Sequence, residues 1–211
     1  MTPSRCVGVL LAGGAARRFR GMPKGLALVD GLRIADRVLA ALRGATDRQI
    51  VVANDPRAAR WFPGVRIVKD AEEGQGPLHG LRTALAAAEG APVLVVAWDM
   101  PFVTAALLSA LRAEGERGAA AAVPLAGTPP HAEPLCAYYG DGALVACDAL
   151  LARGERRAAA LFEALPGATA VRGPELEALG DPARLLFSVD TLDDLNRLGG
   201  RLPDGEDTAR R

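Results

Sequence analysis

The stretch that decides how this chain is read is Val7-Gly8-Val9-Leu10-Leu11, followed by Ala12-Gly13-Gly14-Ala15-Ala16-Arg17-Arg18-Phe19-Arg20-Gly21-Met22-Pro23-Lys24. A five-residue apolar run bounded by glycine has the length of a buried strand. The glycine pair after it lets backbone amides approach an anion, and three arginines and a lysine surround that position. Lys24 is one of only two lysines, against 23 arginines, in 211 residues. A chain this poor in lysine has other means of placing a positive charge there. The glycine spacing is not that of the dinucleotide fingerprint, and Gly25 stands where a P-loop would carry Ser or Thr. Two readings remain. One is an ordinary strand-to-helix turn with solvated basic residues. The other is a phosphate cradle in which Arg18 and Lys24 neutralise a triphosphate, Lys24 as a compact point charge.

Outward from that loop, apolar runs recur at residues 50–53, 65–68, 93–97 and 120–123. Segments 34–42, 56–61, 78–88 and 105–111 lie between them and carry apolar residues at helical spacing. Strands alternating with helices in this way predict βαβ units, right-handed crossovers and a mostly parallel sheet. In such sheets ligands bind beyond the carboxyl ends of the strands. The residues to inspect are therefore Gly13, Gly14, Asn54, Asp55, Asp70 and Asp99. After Pro124 the pattern changes. Residues 125–131 read as a Gly- and Pro-rich loop, 133–139 and 168–172 as strands, and 143–151, 157–165 and 192–198 as helices. The expected organisation is one domain over 1–200, with a nucleotide-binding half (1–123), a second-substrate half (124–200) and a polar, frayed tail (201–211).

Composition narrows the function. Lys plus Arg equals Asp plus Glu at 25 each, so no global charge attracts nucleic acid or an anionic membrane, and phosphate recognition has to be local. Cys6, Cys136 and Cys147 are odd in number and lack metal-ligand spacing, which argues for a reducing compartment and against zinc. No run approaches membrane-spanning length and the first residues lead straight into a strand, so a cytoplasmic enzyme is expected.

Asp99 follows the apolar run Val93-Leu94-Val95-Val96-Ala97-Trp98 and precedes Met100-Pro101-Phe102. A lone carboxylate at a strand end suits Mg²⁺, which takes one or two protein carboxylates and completes its octahedron with phosphate oxygens and water. It could also cap the next helix, although Thr104 is better placed for that. Gly76-Pro77-Leu78-His79-Gly80 opens a helix, either as a plain start or as a second phosphate site made of free amides.

LAGGAARRFRGMPKG, GPLHGL, WDMPF, EPLCAYY, the GERR run at residues 154–157 and FSVDTLDDL occur in one order across nearly the whole chain. Together they resemble the molybdenum cofactor guanylyltransferases. The resemblance implies a Rossmann-like three-layer α/β/α nucleotidyltransferase fold, GTP and molybdopterin as substrates, Mg²⁺ as cofactor, and molybdoenzymes or other cofactor-biosynthesis proteins as possible partners. Carried onto this chain, it assigns Leu11, Ala12, Gly13 and Gly14 to the nucleotide loop and Lys24 to the phosphates. Asp70 and Asp99 fall to nucleotide and metal, Gly76 and Gly80 to the pterin. Ser188 and Asp190 stand where the family usually has two asparagines, so Asp190 is either a second metal ligand or the cap of the helix near Leu192. Arg20 and Pro23 also depart from the family pattern, and Asn54 lies beside the position of its nucleotide-binding asparagine. A cytidylyltransferase for the same pterin, a sugar-phosphate nucleotidyltransferase and a non-catalytic cofactor-delivery protein are the rival expectations.

Overall fold

The structure is a computed structural model that describes residues 5–13, 19, 22–70 and 76–203. Strand β1 (Val7–Leu11) is followed by a 3₁₀ turn at Lys24–Leu26 and a short hairpin of β2 (Leu28–Val29) and β3 (Leu32–Arg33). Then come α1 (Ile34–Ala45), β4 (Arg48–Val52), α2 (Ala58–Trp61), β5 (Arg66–Val68), α3 (Pro77–Ala87), β6 (Val93–Ala97) and α4 (Ala105–Glu116). The rest of the chain forms β7 (Ala121–Ala126), β8 (His131–Ala132), β9 (Cys136–Tyr139), α5 (Ala143–Ala152), α6 (Ala159–Ala164) and β10 (Thr169–Arg172). Three short helices close it: α7 (Pro174–Glu177), α8 (Pro182–Leu185) and α9 (Leu192–Arg197).

One sheet runs in the order β10-β7-β9-β6-β1-β4-β5, with β8 added on β7. β1 pairs in parallel with β4 and β6, and β4 with β5, as the alternating pattern requires. β9 runs antiparallel between β6 and β7, so strands from beyond Pro124 hydrogen-bond directly to strands from before it. The sheet is mostly parallel, with helices on both faces. Its two-residue side-chain period sorts each strand between two cores. Leu10, Val51, Leu94 and Val96 face α1 and α4, which contribute Val38, Leu42, Leu107 and Leu111. Val7, Val9, Ile50, Val93 and Val95 face α3, α5 and α6, through Leu78, Leu81, Cys147 and Leu161.

A third apolar cluster lay outside the sequence pattern. Phe19, Ala27, Val29, Ile34, Val189 and Leu195 bury together, fastening the end of the chain to the loop after β1. The Leu28 and Arg201 backbones exchange hydrogen bonds of 2.8 and 2.9 Å. Residues 204–211 lie outside the described residues. Among the described residues no helix is long and apolar enough to cross a membrane. Leu94, fully buried at the centre of β6, tests the packing. Leu94→Ala is expected to lower unfolding stability by about 2–5 kcal/mol in urea titration, through lost transfer energy and a residual cavity.

Candidate active site

The carboxyl ends of β1, β4, β5 and β6 open on one cleft of ≈ 440 Å³. Its walls include Leu11 and Gly13 after β1, Asn54 after β4, Asp70 after β5, Gly76 and Gly80 around the start of α3, Trp98 and Asp99 after β6, and Lys24. Parallel pairing alone brings these strand ends to one edge. Ala12 is buried directly beneath, its amide bonded to the Val52 carbonyl at 2.8 Å. Gly14 and Arg18 lie outside the described residues.

Lys24 is the electrostatic centre. Its ammonium forms ion pairs with Asp99 Oδ2 and, at 3.0 Å, with Asp190 Oδ1. Burial opposes the lysine charge, but Asp99 and then Asp190 outweigh it and hold Lys24 above the ordinary lysine value. Asp190 reaches this point because the Val189 amide donates to the Asp99 carbonyl at 2.9 Å, which lays the chain before α9 along the end of β6. The alternative that Asp190 caps α9 is excluded. Thr191 is the cap, in a reciprocal capping box with Asp194, and the Asp190 carboxylate turns to Lys24 instead. Thr104 caps α4 by accepting the Leu107 amide, so Asp99 is free of that duty as well. Ser188 is half-buried and does not line the cleft.

A divalent cation fits this donor set. Asp99 is 6% exposed, and its Oδ1 is buried without a hydrogen-bond partner among the described residues, which is costly for a carboxylate unless a cation approaches it. The other oxygen of Asp99 and one of Asp190 already converge on a single positive charge. Two carboxylates are the number that a hard ion such as Mg²⁺ takes when phosphate oxygens and water complete its shell.

Asp70 is fixed from two sides. Its amide donates to Asn54 Oδ1 at 2.8 Å, and Thr83 Oγ1 donates to its Oδ1 at 2.9 Å. Asn54 therefore both lines the cleft and positions its neighbour, whereas Asp55 pairs with Arg57. Gly76, with φ at 105°, precedes α3 in a conformation few side chains tolerate, and Arg156 backs onto it. Sequence reasoning missed Thr83, and missed Glu133 as well. Burial raises the Glu133 carboxyl, its bond from the Leu135 amide opposes this, and the negative charges of Asp99 and Asp190 raise it further. Its only sequence signal was the EPLCAYY segment. His79 is buried and borders a second cavity of ≈ 360 Å³ beside Asp70.

A mostly parallel α/β/α sheet whose strand ends carry a glycine loop, a lysine and metal-competent carboxylates defines a nucleotidyltransferase. The chain matches the MobA-like NTP transferase domain over residues 8–201 and belongs to that family. It is 36% identical over 191 residues to a probable molybdenum cofactor guanylyltransferase of Chloroflexus aggregans, covering 89% of this chain and 90% of the relative. In structure it is similar to the molybdopterin-guanine dinucleotide biosynthesis protein A of Archaeoglobus fulgidus, with TM-score 0.75, 27% identity and coverage of 91% and 96%. The fold also matches Rv0371c of Mycobacterium tuberculosis, solved as a manganese complex, with TM-score 0.63, 21% identity and coverage of 92% and 98%.

The lysine pairing has a thermodynamic signature. Because folding raises the Lys24 pKa, its contribution to stability is complete below the unfolded value of about 10.4 and fades as pH rises through the folded one. Lys24→Met leaves the buried Asp99 carboxylate short of a partner. The variant is expected to be less stable than the parent at neutral pH, with the gap narrowing in alkali. Urea titrations at pH 7 and above pH 10 measure both.

Proposed function

We propose that this protein transfers GMP from GTP to the terminal phosphate of molybdenum-bearing molybdopterin, releasing pyrophosphate and forming molybdopterin guanine dinucleotide. The observation that carries the reading is the convergence of Lys24, Asp99 and Asp190 at the edge of a cleft whose far wall is the glycine-flanked start of α3. A pterin phosphate oxygen attacks the α-phosphorus of GTP in line, the bond from that phosphorus to the bridging oxygen of the β-phosphate breaks, and pyrophosphate leaves with the electron pair. The nucleophile is already an anion, so no general base is needed. Positioning and charge carry the catalysis.

In this reading Lys24 and Arg18 offset charge developing around the α-phosphate. Leu11, Ala12, Gly13 and Gly14 border the base, Asn54 and Asp70 hold the nucleoside, and Gly76 and Gly80 leave room for the pterin. Ser188 lies in the segment that carries Asp190. Asp99 and Asp190 are the ligands we assign to Mg²⁺. When bound, the ion supplies further neutralisation of the phosphate oxygens. Three buried, unpaired cysteines suit a reducing compartment, and so the cytoplasm. Molybdoenzymes or other cofactor-biosynthesis proteins are the partners we expect downstream.

A Cβ added to Gly13 meets no atom of the described residues within 4 Å, and Gly13 is not among the positive-φ glycines, so the described framework accommodates alanine there. A methyl group at this position would project toward whatever fills the cleft. Gly13→Ala is therefore expected to fold normally while raising the KM for GTP, by roughly 10-fold if about 1.4 kcal/mol of binding is lost. An unchanged KM would remove Gly13 from base selection. Asp99→Ala is expected to cut kcat by on the order of 10²-fold or more, with the circular dichroism spectrum intact. The decisive assay is pyrophosphate release with Mg²⁺ and molybdopterin, comparing GTP, CTP and ATP against a control without pterin. Release that needs both GTP and pterin supports the proposal, a preference for CTP moves the protein to cytidylyl transfer, and silence despite nucleotide binding overturns the proposal in favour of a delivery protein or another phosphate substrate.

A further inference from the structure

The residue after Lys24 is a glycine for a reason its own backbone does not supply. Gly25 sits in the second position of a 3₁₀ turn and is not among the positive-φ glycines, so its conformation is open to any residue. What forbids a side chain is Trp98. A Cβ on Gly25 would stand 2.4 Å from two atoms of the indole and 2.8 Å from a third. The ring has little room to withdraw. Trp98 is 4% exposed, it lies in the same core as Trp61, and the two rings sit 6.4 Å apart. The Trp98 backbone is held as well, its amide donating to the Leu11 carbonyl at 3.2 Å.

Each partner of this contact is the covalent neighbour of a charged site residue. Gly25 follows Lys24, and Trp98 precedes Asp99. The indole face thus acts as a spacer between two backbones, one carrying the ammonium and the other the buried carboxylate. We propose that the Gly25–Trp98 contact sets the placement of Lys24 against Asp99, making Gly25 and Trp98 positioning residues of the phosphate site. The inference rests on the nucleotidyl-transfer reading for its activity readout alone. The geometry itself concerns a lysine, a carboxylate and a nucleotide.

If the spacing is set in this way, a methyl group at Gly25 pushes the lysine turn off the ring, and shortening the ring makes room for it again. Gly25→Ala is expected to lower kcat at least 10-fold, more than it raises the KM for GTP, since misplacements near 1 Å at a charge-stabilising group have effects of up to 10²-fold. Its affinity for GTP with Mg²⁺, measured by calorimetry without pterin, is expected to fall several-fold. The double variant Gly25→Ala/Trp98→Leu is expected to recover part of both losses, although Trp98→Leu alone reduces activity. Loss of fold would depress all variants together with their melting temperatures. Recovery in the double variant is an outcome that general destabilisation does not produce. Parental kcat and affinity in Gly25→Ala, or a double variant no better than Gly25→Ala, overturns the proposal. Should the parent bind GTP but release no pyrophosphate, the transfer reading fails, and the calorimetric comparison still decides the Gly25–Trp98 contact.

Discussion

The ammonium of Lys24, held between the carboxylates of Asp99 and Asp190, is the interaction on which the site depends, because it joins three distant parts of the chain. Lys24 belongs to the loop after the first strand, Asp99 to the end of the central strand β6, and Asp190 to the segment entering the last helix. A partly buried ammonium and a buried carboxylate tolerate such a meeting only as an opposite pair, since each would otherwise lose its hydration without return, while Asp190 joins them from the exposed side. The cluster therefore constrains more than catalysis. It requires the end of the chain to return to the beginning, and the apolar cluster of Phe19, Val29, Ile34, Val189 and Leu195 is what makes that return stable.

The same arrangement explains why no nucleophile or base triad is present among the described residues of the cleft. Joining two phosphates presents a problem of repulsion and alignment rather than of proton transfer. A pocket of ≈ 440 Å³, walled by aliphatic side chains and glycines with a few charges at its edge, suits that problem by holding charges and dipoles in fixed positions. Among the described residues, the carboxylates of Asp99 and Asp190 face the one ammonium of Lys24. That local balance favours a metal ion arriving together with its triphosphate.

The carboxylate at position 190 acts at the same place. It adds a formal charge beside the lysine and supplies its second ion pair. The helix that follows loses nothing, since Thr191 and Asp194 satisfy its first amides between them. Asp190 is thereby released for the cleft.

Periodicity and punctuation sufficed for the parallel half of the fold. The runs ending in Leu11 and Ala97 are strands at those residues, and helical spacing located α1, α3 and α4. Such signals are local, set by which face of an element meets the core, and so they are written in adjacent residues. The rule that ligands sit beyond parallel strand ends pointed to Gly13, Asn54, Asp70 and Asp99, which line the cleft, and also to Gly14, which lies outside the described residues, and to Asp55, which pairs with Arg57. Tertiary structure alone decided what no window of sequence contains. It inserted β9 antiparallel between β6 and β7, seated Gly25 on the Trp98 ring, tied Thr83 to Asp70, and turned Asp190 to Lys24 rather than to its own helix. Those outcomes depend on contacts between residues up to 166 positions apart, whose energies exist only once the chain has folded.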